Sequence, residues 1–465
     1  MTAVRSAWVG LYFCLSAVAA LAQGVTLPDV HHVELNNGVV IILHEKRDVP
    51  LIAVEAIVRG GAVTDPPGKS GMASLLSGML IKGAGERDAA TFAETIDAVG
   101  GSLSASAGLE STTISGEFLA RDADLMVELL VDMLQSPTLG YTEMKKLRDR
   151  KVNFIRAAKD SDLRPLTPVY GNAFLFGEHP YGNPVDGNEA SLATISQRDL
   201  RAYYRDYFGA DRLIIAVVGD FDATLMVNKL SSAFAGWRAA AAALPEFEAP
   251  APQEGRRVLL VDKPGATQSY FWIGNVGVAI GYPQRAQLDI ANTLFGGRFT
   301  SLLMDELRTK AGLTYGARSL LRRPSKAGSV AINSYTKTEM TLEAIDLALH
   351  LLARMHEHGF DEEVILSGKN YILGQFPPRL ETAAQLAAKF ADLEAHGLDA
   401  SFVNDYGAAI AAADSASVRS VIDSVYPNPD NLVFVILGDA ELLRGDVAQY
   451  GPVTEIAITE PRFRP

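Results

Sequence analysis

A long internal repeat constrains the fold more than any other feature of the sequence. Residues 196–220 align without gaps on residues 415–439, a shift of 219 positions. A period this long indicates duplicated domains, because solenoid repeats have periods of about 20–50 residues. The sequence therefore predicts two homologous domains. The identical pairs are Ser196/Ser415, Tyr207/Tyr426, Asp211/Asp430, Leu213/Leu432, Gly219/Gly438 and Asp220/Asp439.

The order of strand and helix patterns within one repeat predicts an α+β fold. Apolar alternation surrounds an Asn36-Asn37-Gly38 turn, and residues 51–59 form another apolar run. Residues 71–81 have apolar side chains at helical spacing, whereas residues 101–119 alternate like two antiparallel strands. Because strands and helices do not alternate strictly, we expect an antiparallel or mixed sheet in each domain, with helices packed on one side.

Composition marks the boundary between the two repeats. Residues 237–255 are rich in Ala and Pro and have little periodic pattern, which is typical of an interdomain linker. We therefore predict a leader at residues 1–22, an N-terminal domain at 23–236, this linker, and a C-terminal domain at 256–465.

The first 22 residues have the pattern of a secretory signal peptide. Arg5 is followed by an apolar run from Ala7 to Ala20 and by a small-x-small cleavage site, Ala20-Leu21-Ala22. An uncleaved membrane anchor is disfavoured, because the run is shorter than the roughly 20 residues that span a bilayer. We expect an exported protein, periplasmic in preference to secreted, without stable membrane insertion after cleavage.

The charge balance limits the classes of partner. The chain has 42 Lys and Arg against 55 Asp and Glu, a net charge of −13 at pH 7. Nucleic acids and anionic membranes are poor partners for such a chain. A hydrophobic fraction of 48% leaves ample material for two cores.

Four short segments carry a resemblance to a known family. They are residues 67–73 (PGKSGMA), 79–83 (MLIKG), 179–182 (HPYG) and 307–315 (LRTKAGLTY). In this order, on a duplicated chain, they resemble the insulinase/pitrilysin family of zinc peptidases, the inverzincins. The resemblance extends over essentially the whole chain after the leader, and it implies that the two domains form a bowl-shaped chain.

The metal-binding positions of that family are empty here. Peptide-cleaving members carry His-x-x-Glu-His on a helix, but the three chemical positions are Ser74, Ser77 and Gly78. A further Glu ligand would fall at or next to Ile155. A catalytic zinc needs about three protein ligands and a base for its water. The resemblance thus implies that this chain binds no zinc.

A second set of family residues is retained in the C-terminal repeat. Arg308 and Tyr315 match an Arg and a Tyr that reach the substrate beside the zinc in the family, and Gly296 and Gly297 match the glycine-rich turn before them. Peptide hydrolysis develops negative charge on the former carbonyl oxygen, and removing one donor to it typically costs about 10²–10³ in rate. The resemblance therefore implies a catalytic role for Arg308 and Tyr315, and a substrate-binding role for the two glycines.

An edge strand is the third element that the resemblance implies. Residues Leu103, Ser104 and Ala105 match the family strand that pairs with an extended substrate through backbone hydrogen bonds. Zinc-bearing members have Asn-Ala where this chain has Ser104-Ala105, and an ordinary exposed strand remains the alternative.

Two functions are compatible with this pattern. In the first, the chain is the zinc-less subunit of a heterodimeric peptidase that degrades peptides or unfolded polypeptides, and a homologous subunit brings the zinc. In the second, the chain is a non-enzymatic scaffold or peptide-binding subunit. The retained Arg308 and Tyr315 favour the first, because a scaffold has no need of them. A self-sufficient metallopeptidase is disfavoured by the empty motif.

Overall fold

The structure is a computed structural model, and it describes residues 25–465. The predicted leader, residues 1–22, lies outside the described residues. The strands are β1 (His31–Glu34), β2 (Val40–Glu45), β3 (Leu51–Arg59), β4 (Ser102–Ala107), β5 (Ser111–Leu119), β6 (Leu213–Gly219), β7 (Arg257–Asp262), β8 (Gln268–Val276), β9 (Ala317–Arg322), β10 (Ser329–Lys337), β11 (Val433–Gly438) and β12 (Val453–Ala457).

Helices surround these strands in both halves of the chain. They are α1 (Met72–Leu80), α2 (Ala89–Asp97), α3 (Ala123–Gln135), α4 (Tyr141–Ser161), α5 (Thr167–Phe176), α6 (Glu189–Thr194), α7 (Gln197–Tyr207), α8 (Ala223–Phe234), α9 (Arg285–Asn292), α10 (Thr341–His358), α11 (Glu362–Gln375), α12 (Ala383–Ala395), α13 (Ser401–Asn404), α14 (Tyr406–Ala412), α15 (Ser415–Val425) and α16 (Ala440–Val447). Two π-helical segments, Thr293–Gly297 and Met304–Lys310, lie between α9 and β9.

The strands form two six-stranded sheets with the same internal order. The first sheet is ordered β1-β2-β6-β3-β5-β4, and the second is ordered β12-β7-β11-β8-β10-β9. Both sheets are mixed, since β6 is parallel to β2 but antiparallel to β3, and β11 is parallel to β7 but antiparallel to β8. The prediction of an α+β chain with two homologous domains is confirmed.

The burial of the central strands explains why the internal repeat can be recognised in the sequence. Every residue of β6 and of β11 is buried. A strand covered on both faces is apolar at every position rather than at alternate ones. These two strands therefore kept the continuous apolar runs that align under the 219-residue shift.

Each half of the chain also covers one face of the other half's sheet with a helix. Helix α5 packs against β8 and β11, and α12 packs against β3 and β6. The shift of 219 lays residues 167–176 on residues 386–395, so the two exchanged helices are equivalent in the repeat. The sheets consequently have helices on both faces, the second face of each being covered by the opposite half.

Tight contacts fix the exchanged helix α5. A Cβ added at Gly171 would lie 2.5 Å from Cδ2 of Trp272, a side chain on β8 that is 1% exposed. The guanidinium of Arg257 lies 4.5 Å from the ring centroid of Phe174, and Ser329 donates a hydrogen bond to Asn172 at 2.9 Å. Close packing of this kind holds the two halves together.

The segment between the halves has no regular structure, because neither helix nor strand occurs between Phe234 and Arg257. Within residues 25–465, none of the helices has both the length and the apolar character needed to cross a membrane.

Candidate functional site

Helix α1 holds the three positions of the empty zinc motif. Its start is fixed by the buried carboxylate of Asp65, which accepts hydrogen bonds from the backbone N–H groups of Gly71 at 2.6 Å and Ala73 at 2.8 Å. Gly71 has a φ of 91°, a left-handed conformation that favours glycine. The helix packs against α4, which carries the fourth empty position.

All four positions are filled by packing or by internal hydrogen bonds. Ser74 and Ser77 are 6% and 2% exposed, and Ser77 Oγ donates to the carbonyl of Ser74 at 3.0 Å. A Cβ added at Gly78 would lie 2.7 Å from Cδ2 of Leu147. Ile155 is 4% exposed and belongs to the apolar core.

A lysine ammonium occupies the space beside the first ligand position. Lys151 Nζ donates to Ser74 Oγ at 2.7 Å and to Asp186 Oδ1 at 2.9 Å, and Ser74 Oγ donates to the same carboxylate oxygen at 2.6 Å. Partial burial raises the pKa of Asp186, but the charge of Lys151 and the Ser74 hydroxyl outweigh it, so the pKa lies below its ordinary value. The three groups satisfy one another.

This donor set does not fit a catalytic zinc. Zinc sites use His, Cys and carboxylate ligands, whereas an ammonium has no lone pair and repels a dication. Over the described range, no group of three His, Cys, Asp or Glu side chains is arranged to hold a metal ion.

The sequence did not reveal Lys151 and Asp186. Lys151 precedes Ile155 by four residues on α4, so helical spacing places it one turn from the fourth empty position. That spacing was a usable signal for Lys151. Asp186 lies in the loop after the HPYG segment, and nothing in the local pattern indicated that it would reach α1.

Arg308 and Tyr315 lie in the second half, where Arg308 is half-buried and Tyr315 is exposed. Arg308 belongs to the π-helical segment Met304–Lys310, and its guanidinium lies 4.8 Å from the ring centroid of Phe299. Phe299 is 70% exposed and Tyr315 is 80% exposed. Of the hydrogen bonds among the described residues, none involves the side chain of Arg308 or of Tyr315.

The two predicted glycines differ in their surroundings. Gly296 is buried, and a Cβ there would collide with the backbone nitrogen of Ser319 on β9. Gly297 is exposed and ends the first π-helical segment. Gly296 therefore has a packing reason to be glycine, and the substrate-binding role of both glycines stays a prediction.

Leu103, Ser104 and Ala105 lie on β4, the edge strand of the first sheet. Their backbone partners on β5 are Gly116, Ser115 and Ile114. In the part of the chain that the structure describes, no strand pairs with the other edge of β4. A row of backbone donors and acceptors is thus free for an extended peptide.

The structure brings together one set of predicted positions and leaves the other separate. Ser74, Ser77, Gly78 and Ile155 lie on the packed helices α1 and α4. Arg308 and Tyr315 lie beside the second sheet, and across residues 25–465 no hydrogen bond or ion pair joins them to the first set.

Fold and site together define a class of protein. It is a two-domain α+β chain built like a metallopeptidase, but the helix at the metal-binding position carries packed side chains instead of metal ligands. Residues 40–187 match the family model described as Insulinase (Peptidase family M16), and residues 194–371 match the model described as Peptidase M16 inactive domain. The chain belongs to this insulinase (M16) family.

Relatives of similar length have related descriptions. The chain is 25% identical over 349 residues to an uncharacterized zinc protease, YmxG, of Bacillus subtilis (strain 168), covering 74% of this chain and 83% of that protein. It is 24% identical over 375 residues to the non-peptidase homolog YmxG of Helicobacter pylori (strain ATCC 700392 / 26695), covering 80% and 85%.

Solved structures share the fold. The peptidase M16 inactive domain from Pseudomonas fluorescens superposes with a TM-score of 0.82 at 21% identity, covering 89% of this chain and 98% of that chain. A protease from Helicobacter pylori gives a TM-score of 0.80 at 20% identity, covering 89% and 100%.

Proposed function

We propose that this chain is the zinc-less subunit of a heterodimeric metallopeptidase that acts on peptides or unfolded polypeptides in the exported compartment. One observation carries the proposal: the polar groups at the empty zinc position are satisfied internally. By contrast, Tyr315 is exposed and Arg308 is partly exposed, and neither side chain has a hydrogen-bond or ion-pair partner among the described residues. A homologous subunit with His-x-x-Glu-His would supply the zinc and the activated water.

The chain's own contribution is binding and charge stabilisation. The free edge of β4 pairs with the backbone of an extended substrate, a mode that tolerates many sequences. The Tyr315 phenol donates a hydrogen bond to the oxygen that becomes negative during attack on the peptide carbonyl. The Arg308 guanidinium, with its planar set of N–H donors, holds a substrate carbonyl in position.

A second candidate is a non-enzymatic scaffold or peptide-binding subunit of a larger assembly. The description of the Helicobacter pylori relative as a non-peptidase homolog favours it. In that case the β4 edge would bind peptides, and Arg308 and Tyr315 would be dispensable.

Copurification followed by reconstitution separates the two candidates. The tagged chain is purified from its native host, and each copurified chain is identified by sequence. We expect an exported partner of similar length that carries His-x-x-Glu-His, and a complex that cleaves an unstructured fluorogenic peptide that neither chain cleaves alone. The absence of such a partner, or equal activity of the partner without this chain, would contradict the heterodimer.

A further inference from the structure

An interdomain cavity of about 560 Å³ lies beside the repacked zinc position, by which we mean Ser74, Ser77, Gly78 and Ile155. The first half contributes Ile155 and Asp186 to its wall, and the second half contributes residues 319–322 of β9 and Phe463 near the chain end. Its size is within the range of about 300–1,000 Å³ that is usual for small-ligand sites.

Most of the cavity wall is apolar. Hydrophobic side chains from both halves surround the space, which suits an apolar group removed from water. The ring of Phe463 is itself held in place, because it packs edge-on against Tyr170 at 4.9 Å and under the ammonium of Lys159 at 5.6 Å. The principal apolar residues are Phe154, Leu166, Val169, Leu320, Leu321 and Phe463.

Three polar side chains in the wall already have partners. Asp186 is paired with Lys151 at 2.9 Å, so its charge is balanced. Asn172 donates to the carbonyl of Pro168 at 2.7 Å, and the Tyr181 hydroxyl donates to Glu110 at 2.7 Å.

Arg322 differs from these three, and the buried hydroxyl of Ser319 also lacks a hydrogen-bond partner among the described residues. Within the described part of the chain the Arg322 guanidinium has no hydrogen-bond or ion-pair partner, whereas the next residue, Arg323, is paired with Asp289 at 2.8 Å. Arg322 ends β9 with an exposed side chain at the rim of the cavity, and desolvation by the neighbouring protein lowers the pKa of Arg322. A guanidinium without a counter-charge at the rim of an apolar cavity favours an anionic ligand, because carboxylates form charge-assisted hydrogen bonds with it.

The cavity also runs along a free strand edge. Four consecutive residues of β9, from Ser319 to Arg322, line it. Since neighbouring side chains of a strand point to opposite faces, a cavity that touches all four lies along the edge of the strand. Strand β9 pairs with β10 alone among the described strands. Gly296 lies against the backbone nitrogen of Ser319, so the backbone of residues 320–322 is the part available to an extended ligand.

We propose that this cavity binds the carboxyl-terminal end of a peptide whose last side chain is apolar. Arg322 pairs with the terminal carboxylate, the apolar wall surrounds the last side chain, and the β9 edge pairs with the peptide backbone. A fatty acid offers the same carboxylate and apolar body but has no use for the strand edge. The choice of a peptide rests on the proposed function.

Fluorescence anisotropy on the full chain without a partner tests the proposal. The probe is a fluorescein-labelled pentapeptide ending in Leu-Leu, as the free acid and as the C-terminal amide. We expect the amide to bind at least tenfold more weakly than the acid. Arg322→Gln lowers the affinity for the acid by a similar factor, and Arg322→Lys restores part of it.

Arg318→Gln is the matched control, because Arg318 is exposed on the same strand and does not line the cavity. It should leave binding unchanged, and the unfolding midpoints of all variants should agree. Equal binding of acid and amide, no binding of either, or no effect of Arg322→Gln overturns the proposal. Binding of dodecanoate without the pentapeptide also overturns it and assigns the site to a lipid. Because no partner is present, these outcomes are independent of whether the heterodimer exists.

Discussion

The two halves of the chain treat one equivalent segment in different ways. Under the 219-residue shift, residues 74–78 lie on residues 293–297. In the first half this segment is part of α1, where buried Ser74 hydrogen-bonds to Lys151 and Asp186 and buried Ser77 donates to the carbonyl of Ser74. In the second half it is π-helical and leads directly to the exposed ring of Phe299 and, beyond a second π-helical segment, to Tyr315.

This difference concerns two equivalent positions in the repeat, one closed and one accessible. Polar groups that are satisfied inside the protein contribute to its stability, and little is left for a ligand. The second half leaves an arginine and a tyrosine without partners in the described structure, next to π-helical turns of the kind that often mark functional sites. The empty zinc position of the first half is thus packed structure, whereas the equivalent region of the second half leads to side chains that are wholly or partly exposed.

The largest expected effect is on catalysis. Tyr315→Phe in the reconstituted complex removes one hydrogen-bond donor to the developing oxyanion, which should lower kcat by about 10²–10³, or about 3–4 kcal/mol. Because Tyr315 is 80% exposed, the free energy of unfolding should not change. The control is Tyr141→Phe, another phenol that is 58% exposed. Steady-state kinetics with full retention of kcat would remove Tyr315 from the mechanism.

The next largest effect concerns the packing of helix α5 of the first half against the sheet of the second half. Gly171→Ala forces a methyl group against the buried Trp272 ring, and overpacking of this kind costs about 1–3 kcal/mol. The better helix propensity of alanine offsets up to about 1 kcal/mol of this. We expect a net loss of about 1–2 kcal/mol in urea unfolding. Gly374→Ala is the matched control, because nothing lies within 4 Å of the added carbon, and it should be neutral or stabilising. Equal effects at both glycines would refute the packing argument.

A smaller effect is expected at the repacked zinc position. Lys151→Met removes the ammonium that Ser74 and Asp186 share, and we expect a loss of about 1 kcal/mol, moderated because the Asp186 side chain is 75% exposed. Lys145→Met on the same helix is the control, since Lys145 and Asp149 are 55% and 49% exposed, and exposed helical pairs contribute about 0.3–0.5 kcal/mol. Chemical denaturation compares the two, and a larger effect of Lys145→Met would contradict our reading of Lys151.

The smallest effect is a pH dependence at the exchanged helix α12. The Asp392 side chain, 3.3 Å from His396 Nδ1, raises the pKa of His396 above its ordinary value. A raised pKa means that folding favours the protonated ring, so the stabilisation is complete below about pH 6.5 and is lost as pH rises through the folded pKa. We expect the free energy of unfolding to fall by about 0.5 kcal/mol between pH 6 and 8 from this ring. His396→Gln should abolish this part of the pH dependence in thermal unfolding. An unchanged pH profile in the variant would exclude the His396 ring as its source.

The sequence predicted the parts of this molecule that depend on local pattern. Strands β6 and β11 are apolar at every position because they are buried on both faces, and this made the duplication visible. Each empty ligand position could be recognised from the sequence, because the ability of a side chain to bind zinc depends on the residue type alone.

Other parts depend on which elements meet in three dimensions. Helix α12 has an apolar face, but its pattern does not say which sheet covers that face. Helix α5 is buried on most of its surface and has no distinct apolar face in the sequence. The pair formed by Lys151 and Asp186 joins residues 35 positions apart. The carboxylate lies in a loop without periodicity, so only the folded structure shows the pair.

One measurement tests the central claim most directly: zinc content and peptide hydrolysis determined on the same preparations of this chain alone and of its reconstituted complex. The account predicts no stoichiometric zinc and no hydrolysis for the chain alone, and one zinc per heterodimer with hydrolysis for the complex. Stoichiometric zinc together with hydrolysis in this chain alone would contradict it.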